Sequence, residues 1–218
     1  MRVVPKRRKV GNLMALAILS AVAHRPMHPY EMASALRGWG KDGDMGIKWG
    51  SLYTVVQNMA KHGLLSEAES TRQGRRPERT VYQITEAGRA ELVDWTRELL
   101  SVAEREFPRF RAGLSVMVVL APDEVTSLLQ RRLASLDAEI ATLREALERD
   151  RDDVPRLFLI EAEYDLAILA AEAAWVGSLL AELTSGTLPG LREWRGFHET
   201  GEIPPDLLQL AERTIANG

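Results

Sequence analysis

Thr54, Gln57, Asn58 and Lys61 fall on one side of a stretch in which Leu52, Val55, Val56 and Met59 recur at helical spacing on the other. Hydroxyl, amide and ammonium groups in that pattern hydrogen-bond to base edges and phosphates. Tyr53 lies on the flank, and Ser51 and Lys48 stand near the start, where phosphates would meet them. A second basic set, Arg72, Arg75, Arg76 and Arg79, surrounds Gly74 and Pro77 and suits a nucleic-acid backbone or minor groove. Other chemistry is thinly represented. His24 and His28 are four apart, but Pro26 between them prevents a shared helical face. His62 suits a helix C-terminus, His198 is isolated, and no pair has metal-ligand spacing. Glu161, Glu163 and Asp165 read as a solvated helix face rather than an acid/base pair. The glycine-rich run 38–46 (GWGKDGDMG) lacks the Gly-Lys-Ser/Thr ending of a phosphate loop. The expectation is no catalytic residue, no metal and no cofactor.

These side chains need a scaffold, and the neighbouring sequence predicts one. Residues 12–23 (NLMALAILSAVA) are almost wholly apolar and end near Pro26, which predicts a buried helix. His28 to Trp39 is amphipathic, with Tyr30, Met32, Ala33 and Leu36 as the inner set. The helix bearing Gln57 follows and stops at Gly63. Leu64 and Leu65 lead into a strand, and residues 81–84 (VYQI) form a second beyond the arginine-rich turn. Thr85 suits an N-cap for a helix that leaves the domain and runs to Glu106, with Leu92, Trp95, Leu99 and Leu100 as its stripe. Three helices and a two-stranded wing form a winged helix-turn-helix, whose second motif helix enters the major groove.

At this point the residues resemble the PadR family of bacterial transcriptional regulators. The matching pieces are the leading apolar helix, His28-Pro29-Tyr30-Glu31-Met32, Gly50-Ser51-Leu52-Tyr53, Gly63-Leu64-Leu65, and the run from Arg79 to Arg89 (RTVYQITEAGR), covering roughly residues 10 to 95. Pro29 stands where the family usually has glycine, and Thr54 where proline commonly follows the tyrosine. The remainder looks like the helical region of PadR members related to virulence activators. The resemblance implies pairing through C-terminal helices and, in some members, response to phenolic acids or drugs.

A formal charge of −3 conceals an asymmetry. Residues 1–85 carry 14 Lys+Arg against 6 Asp+Glu, whereas the remainder carries 14 against 25. One basic half on an acidic protein argues for a polyanion partner on one side. Residues 1–11, with Lys6-Arg7-Arg8-Lys9, read either as a mobile arm that tracks phosphates or as a solubilising tail. With no cysteine, disulfides and thiolate chemistry are excluded. The apolar runs read as far short of a membrane span, and the basic start lacks a cleavage signal, which predicts a cytoplasmic protein without a membrane partner.

Beyond Pro108, residues 109–120 (RFRAGLSVMVVL) read as a buried helix or a short strand, with the family favouring helix. Residues 121–124 (APDE) mark a helix start. Val125, Leu129, Leu133, Leu136, Ile140, Leu143 and Leu147 then form a heptad-like seam. After a charged break, a helix from about Pro155 to Thr184 aligns Leu157, Ile160, Tyr164, Ile168, Ala171, Trp175 and Leu179. Trp194 and Phe197 lie in the tail, with a short helix at residues 206–216.

Two such helices cannot bury both apolar faces alone. The expectation is a homodimer through Leu129, Leu133, Leu136, Ile140, Leu143, Ile168, Trp175 and Leu179, against an intramolecular bundle using residues 107–120. Trp95 and Trp175 are candidate walls of a pocket for a flat aromatic effector, with core packing as the alternative; Trp39 and Trp49 should pack inside the winged domain. The chain thus reads as mainly α: an arm (1–11), a winged helix-turn-helix domain (12–100) and a helical dimerisation and effector domain (101–218). The function expected is a dimeric DNA-binding repressor on a palindromic duplex operator. The alternative is a winged-helix module that docks a protein.

Overall fold

Eight apolar residues of one helix sit at the centre of the first folded unit. In α1 (Leu13–His24), Met14 to Leu19, Ala21 and Val22 are all buried. A helix apolar on every side has neighbours all round. The Asn12 side chain accepts from the Met14 N–H at 2.8 Å and starts the helix. Arg25, preceding Pro26, is forced extended and ends it. The computed structural model describes residues 8–41, 45, 47–68, 80–103 and 107–202. It divides into two compact units, Met1–Arg105 and Glu106–Gly218.

In the first unit α2 (Pro29–Gly38) begins with a reciprocal cap. The His28 side chain accepts from the Tyr30 N–H at 3.1 Å, and Glu31 accepts from the His28 N–H at 2.9 Å. Pro29 occupies the first helical position, where its missing N–H costs nothing, so the departure from the family's glycine is harmless. Met32, Ala33 and Leu36 are buried, but Tyr30 is 71% exposed, which corrects its assignment to the inner set. A 3₁₀ turn, Trp49–Ser51, leads into α3 (Leu52–Lys61). Gly63 (φ 72°) closes α3 in the left-handed region. β1 (Leu65–Ala68) pairs antiparallel with β2 (Val81–Ile84), Leu65 opposite Ile84. Tyr82 also exchanges both backbone hydrogen bonds with Met27, a third piece of sheet.

α4 (Glu86–Ser101) is capped by the Thr85 hydroxyl, which accepts from the Gly88 N–H at 3.0 Å. A Cβ on Gly88 would lie 2.2 Å from the Leu64 carbonyl oxygen, so only glycine lets α4 cross there. The helix stops at Ser101, short of the expected Glu106, because Val102 is extended. Trp95 is 5% exposed in this unit's core. Trp39 is 45% exposed and lies edge-on to His24, so it is less enclosed than expected, whereas Trp49 packs on the core.

The second unit contains α5 (Arg109–Val116), a 3₁₀ turn over Met117–Val119, α6 (Pro122–Asp150), α7 (Ile160–Ser185) and α8 (Leu191–Thr200). Residues 109–116 are helical but not buried: only Phe110, Met117 and Leu120 of this stretch reach the core, and Val119 is 72% exposed. Pro155 starts a separate 3₁₀ turn, so α7 begins at Ile160 rather than at the proline. α6 and α7 form a hairpin. Its core joins Val125, Leu129, Leu136 and Ile140 to Ala173, Val176, Leu180 and Leu183. Trp194, in the tail of the chain, belongs to α8, and its Nε1–H donates to the Leu120 carbonyl at 2.9 Å. The short helix expected over 206–216 lies outside the described residues.

α7 is long and apolar enough to cross a membrane by length and composition, with 26 residues and an 18-residue stretch of mean hydropathy 1.6. This corrects the expectation that no segment comes near a span. Glu172, Ser178 and Glu182 interrupt the run, and small alanines make it less conspicuous than a leucine block.

Candidate nucleic-acid interface

α3 is divided lengthwise. Leu52, Val55, Val56 and Met59 are buried, while Tyr53, Thr54, Gln57, Asn58 and Lys61 are all exposed on the other side. The apolar side packs into the α1-centred core, which fixes the direction of the polar side. Lys48 is exposed just before the helix. Ser51 is half-buried, and its hydroxyl donates to the Lys48 carbonyl at 2.9 Å. The structure thus brings together seven of the residues expected to meet nucleic acid. Arg72, Arg75, Arg76 and Arg79 lie outside the described residues.

Three contacts hold this face that the sequence reading missed. The Arg37 guanidinium stacks 4.5 Å over the Trp49 ring and steadies the turn before α3. The His28 ring meets Tyr53 edge-on, 6.5 Å between centroids. Thr85 ties the end of α3 to α4, its hydroxyl donating to the Gly63 carbonyl at 2.6 Å. Only the last had a sequence signal, an N-cap threonine.

Arg25 bonds Glu31 at 3.2 Å. The His28 backbone N–H holds the Glu31 carboxyl below the ordinary glutamate value, against its partial burial and with help from Arg25. In the wing, burial and then the Glu67 charge push the Tyr82 phenol up. Among the described residues no group of three or more His, Asp or Glu side chains could hold a metal.

The two tryptophans expected to wall a pocket belong to different units. Trp95 is enclosed in the first unit, with Arg8 over its ring. Trp175, in the second unit, is 50% exposed and edge-on to Phe110 at 6.1 Å. Of the residues expected to pair two copies, Leu129, Leu136 and Ile140 are buried inside the protomer, Leu133, Leu143 and Leu179 are half-buried, and Ile168 and Trp175 are exposed.

Helices α1 to α3, the β1–β2 hairpin and α4 define a winged-helix domain, with α3 in the recognition position. Residues 18–94 match the transcriptional regulator PadR-like family. Solved structures agree in fold. Bacillus subtilis PadR in complex with operator DNA is 19% identical, with a TM-score of 0.63, over 78% of this chain and 99% of that one. The same protein in complex with p-coumaric acid is 17% identical, with a TM-score of 0.65, over 79% and 99%. The Vibrio cholerae virulence activator AphA is 19% identical, with a TM-score of 0.61, over 79% and 98%. No curated protein matches the chain by sequence.

Proposed function

We propose that this chain is a homodimeric, sequence-specific DNA-binding regulator that represses transcription from a palindromic operator and is released by a small aromatic effector. The exposed face of α3 carries the reading. Thr54, Gln57, Asn58 and Lys61 approach base edges, while Lys48, Ser51 and Tyr53 meet phosphates. Arg72, Arg75, Arg76 and Arg79 are assigned by their charge to the adjacent backbone or minor groove. The similarity to a PadR bound to operator DNA supports this placement. A protein-docking module fits less well, because this face is polar and a docking surface is more apolar at its centre.

The dimer rests on α7. Its second apolar side presents Ile160, Tyr164, Ile168 and Trp175, each at least half exposed, continued by Leu157. A stripe of that size on a long helix calls for a partner, most simply its own copy. Glu172 bonds Arg132 of α6, which favours a protein partner over lipid. Two-fold pairing would set two α3 helices about 34 Å apart on DNA. The half-exposed Trp175 beside Phe110 supports a planar aromatic effector, as does the p-coumaric acid complex of the relative. A regulator of this kind works in the cytoplasm. Selection of duplexes from a random pool by the full chain tests the reading: enrichment of a palindrome with half-sites one turn apart supports it, and no enrichment contradicts it.

A further inference from the structure

We infer that His28 is a positioning residue of the DNA interface, acting through Tyr53; the inference rests on the DNA-binding reading above. Tyr53 stands on the polar side of α3 and is 55% exposed. An exposed tyrosine samples several rotamers, and ordering it on binding costs affinity. Among the described residues the His28 side chain packs beside it. The His28 ring meets the Tyr53 ring edge-on, at 71° and 6.5 Å between centroids.

That imidazole is itself held. Its Nδ1 accepts from the Tyr30 N–H at 3.1 Å, and its own backbone N–H donates to Glu31 at 2.9 Å. Accepting at Nδ1 places the proton of the neutral ring on Nε2 and fixes the ring plane. Pro29 at the first helical position removes one degree of backbone freedom directly beside it. His28 therefore has two separable roles: a cap for α2, made by Nδ1, and a wall for Tyr53, made by the ring. An ordinary cap needs only the first, and asparagine or serine would supply it. The ring contact joins the first helix of the helix-turn-helix to the exposed face of the second.

Because the roles separate, two substitutions dissociate them. His28→Asn keeps a capping acceptor and loses the ring; His28→Phe keeps a ring and loses the acceptor. The full-length chain is tested on a duplex that the wild type selects from a random pool, with Tyr53→Ala and Gln57→Ala beside it. His28→Asn should weaken binding about two- to tenfold, the range for ordering one side chain on binding, while its melting temperature falls less than that of His28→Phe. His28→Phe should bind as the wild type does while melting about 4–8 °C lower. Wild-type binding by His28→Asn overturns the inference, as does equal weakening by both His28 variants. Wild-type binding by Tyr53→Ala while Gln57→Ala weakens also overturns it, and in each of these cases the DNA reading stands. If no duplex is selected, or neither Tyr53→Ala nor Gln57→Ala matters, the DNA reading fails and this inference fails with it.

Discussion

The guanidinium of Arg8 lies 5.0 Å from the centre of the Trp95 ring. Its side chain is 3% exposed and bonds Glu91 at 2.5 Å and Glu98 two turns further along α4, with Asp94 between them at 3.5 Å. Burial opposes the charge, but hydrogen bonding and attraction from Glu91 and Glu98 outweigh it and hold Arg8 above the ordinary guanidinium value. One member of the basic run Lys6-Arg7-Arg8-Lys9 is therefore a structural cation, not a phosphate contact. Arg8→Ala should destabilise the first unit by about 1–3 kcal/mol, since it uncovers Trp95 and strands two carboxylates. Arg8→Met should cost less, because its stem still covers the ring. Chemical denaturation of the three proteins checks the order.

Gly88 and Gly113 make opposite forecasts. A Cβ at Gly88 meets the Leu64 carbonyl at 2.2 Å and Ile84 at 2.9 Å, whereas at Gly113 nothing lies within 4 Å. Gly88→Ala should cost about 1–3 kcal/mol through overpacking. Gly113→Ala, in the interior of α5, should be neutral or stabilising by up to about 1 kcal/mol. Thermal melts decide both.

Base readout and phosphate contact differ in their salt signature. Gln57→Ala or Asn58→Ala should cost about 1–3 kcal/mol on the preferred duplex and less on random DNA. Joint replacement of Arg75 and Arg76 by alanine should weaken binding to all sequences and flatten the salt dependence. Equal losses on specific and random DNA in the α3 variants would sink the readout assignment.

The two apolar sides of α7 should separate folding from assembly. Ile168 is 51% exposed and Leu183 1%. Ile168→Asp should yield a folded monomer by light scattering, with weakened operator binding. Leu183→Ala should instead destabilise the hairpin by about 2–5 kcal/mol.

Acid should loosen the start of α2. The Glu31 carboxyl is held below its ordinary value, chiefly by the His28 N–H. Its contribution is therefore complete above the ordinary glutamate value and is lost as pH falls through the lowered one. Glu31→Gln should flatten that acid limb of the stability profile, measured by denaturation across pH.

Helix starts were the most legible features. Asn12, His28, Thr85 and Pro122 mark them by chemistry that acts within a few residues. The split of α3 was legible too, because period and burial coincide there. What escaped depends on distant neighbours. Met27 pairs with Tyr82 as a single residue, too short for any strand pattern. The α7 stripe through Tyr164 and Trp175 was readable as apolar, but periodicity cannot say that Val176 and Leu183 face α6 while the stripe faces outward. α8 follows Pro189 and Gly190 and is only ten residues long, and its place is set by distant partners: Trp194 on Leu120, His198 on Val118 and Arg195 on Asp123. Arg8 looked like a surface charge because its three acidic partners lie more than eighty residues away.

The most direct test is a gel shift of the full chain on DNA from immediately upstream of its own coding region, titrated with salt and unlabelled random competitor. A tight shift that survives competitor, weakens steeply with salt and is weakened in Gln57→Ala is expected. A shift abolished by competitor, or unchanged by Gln57→Ala, would contradict the DNA-binding reading.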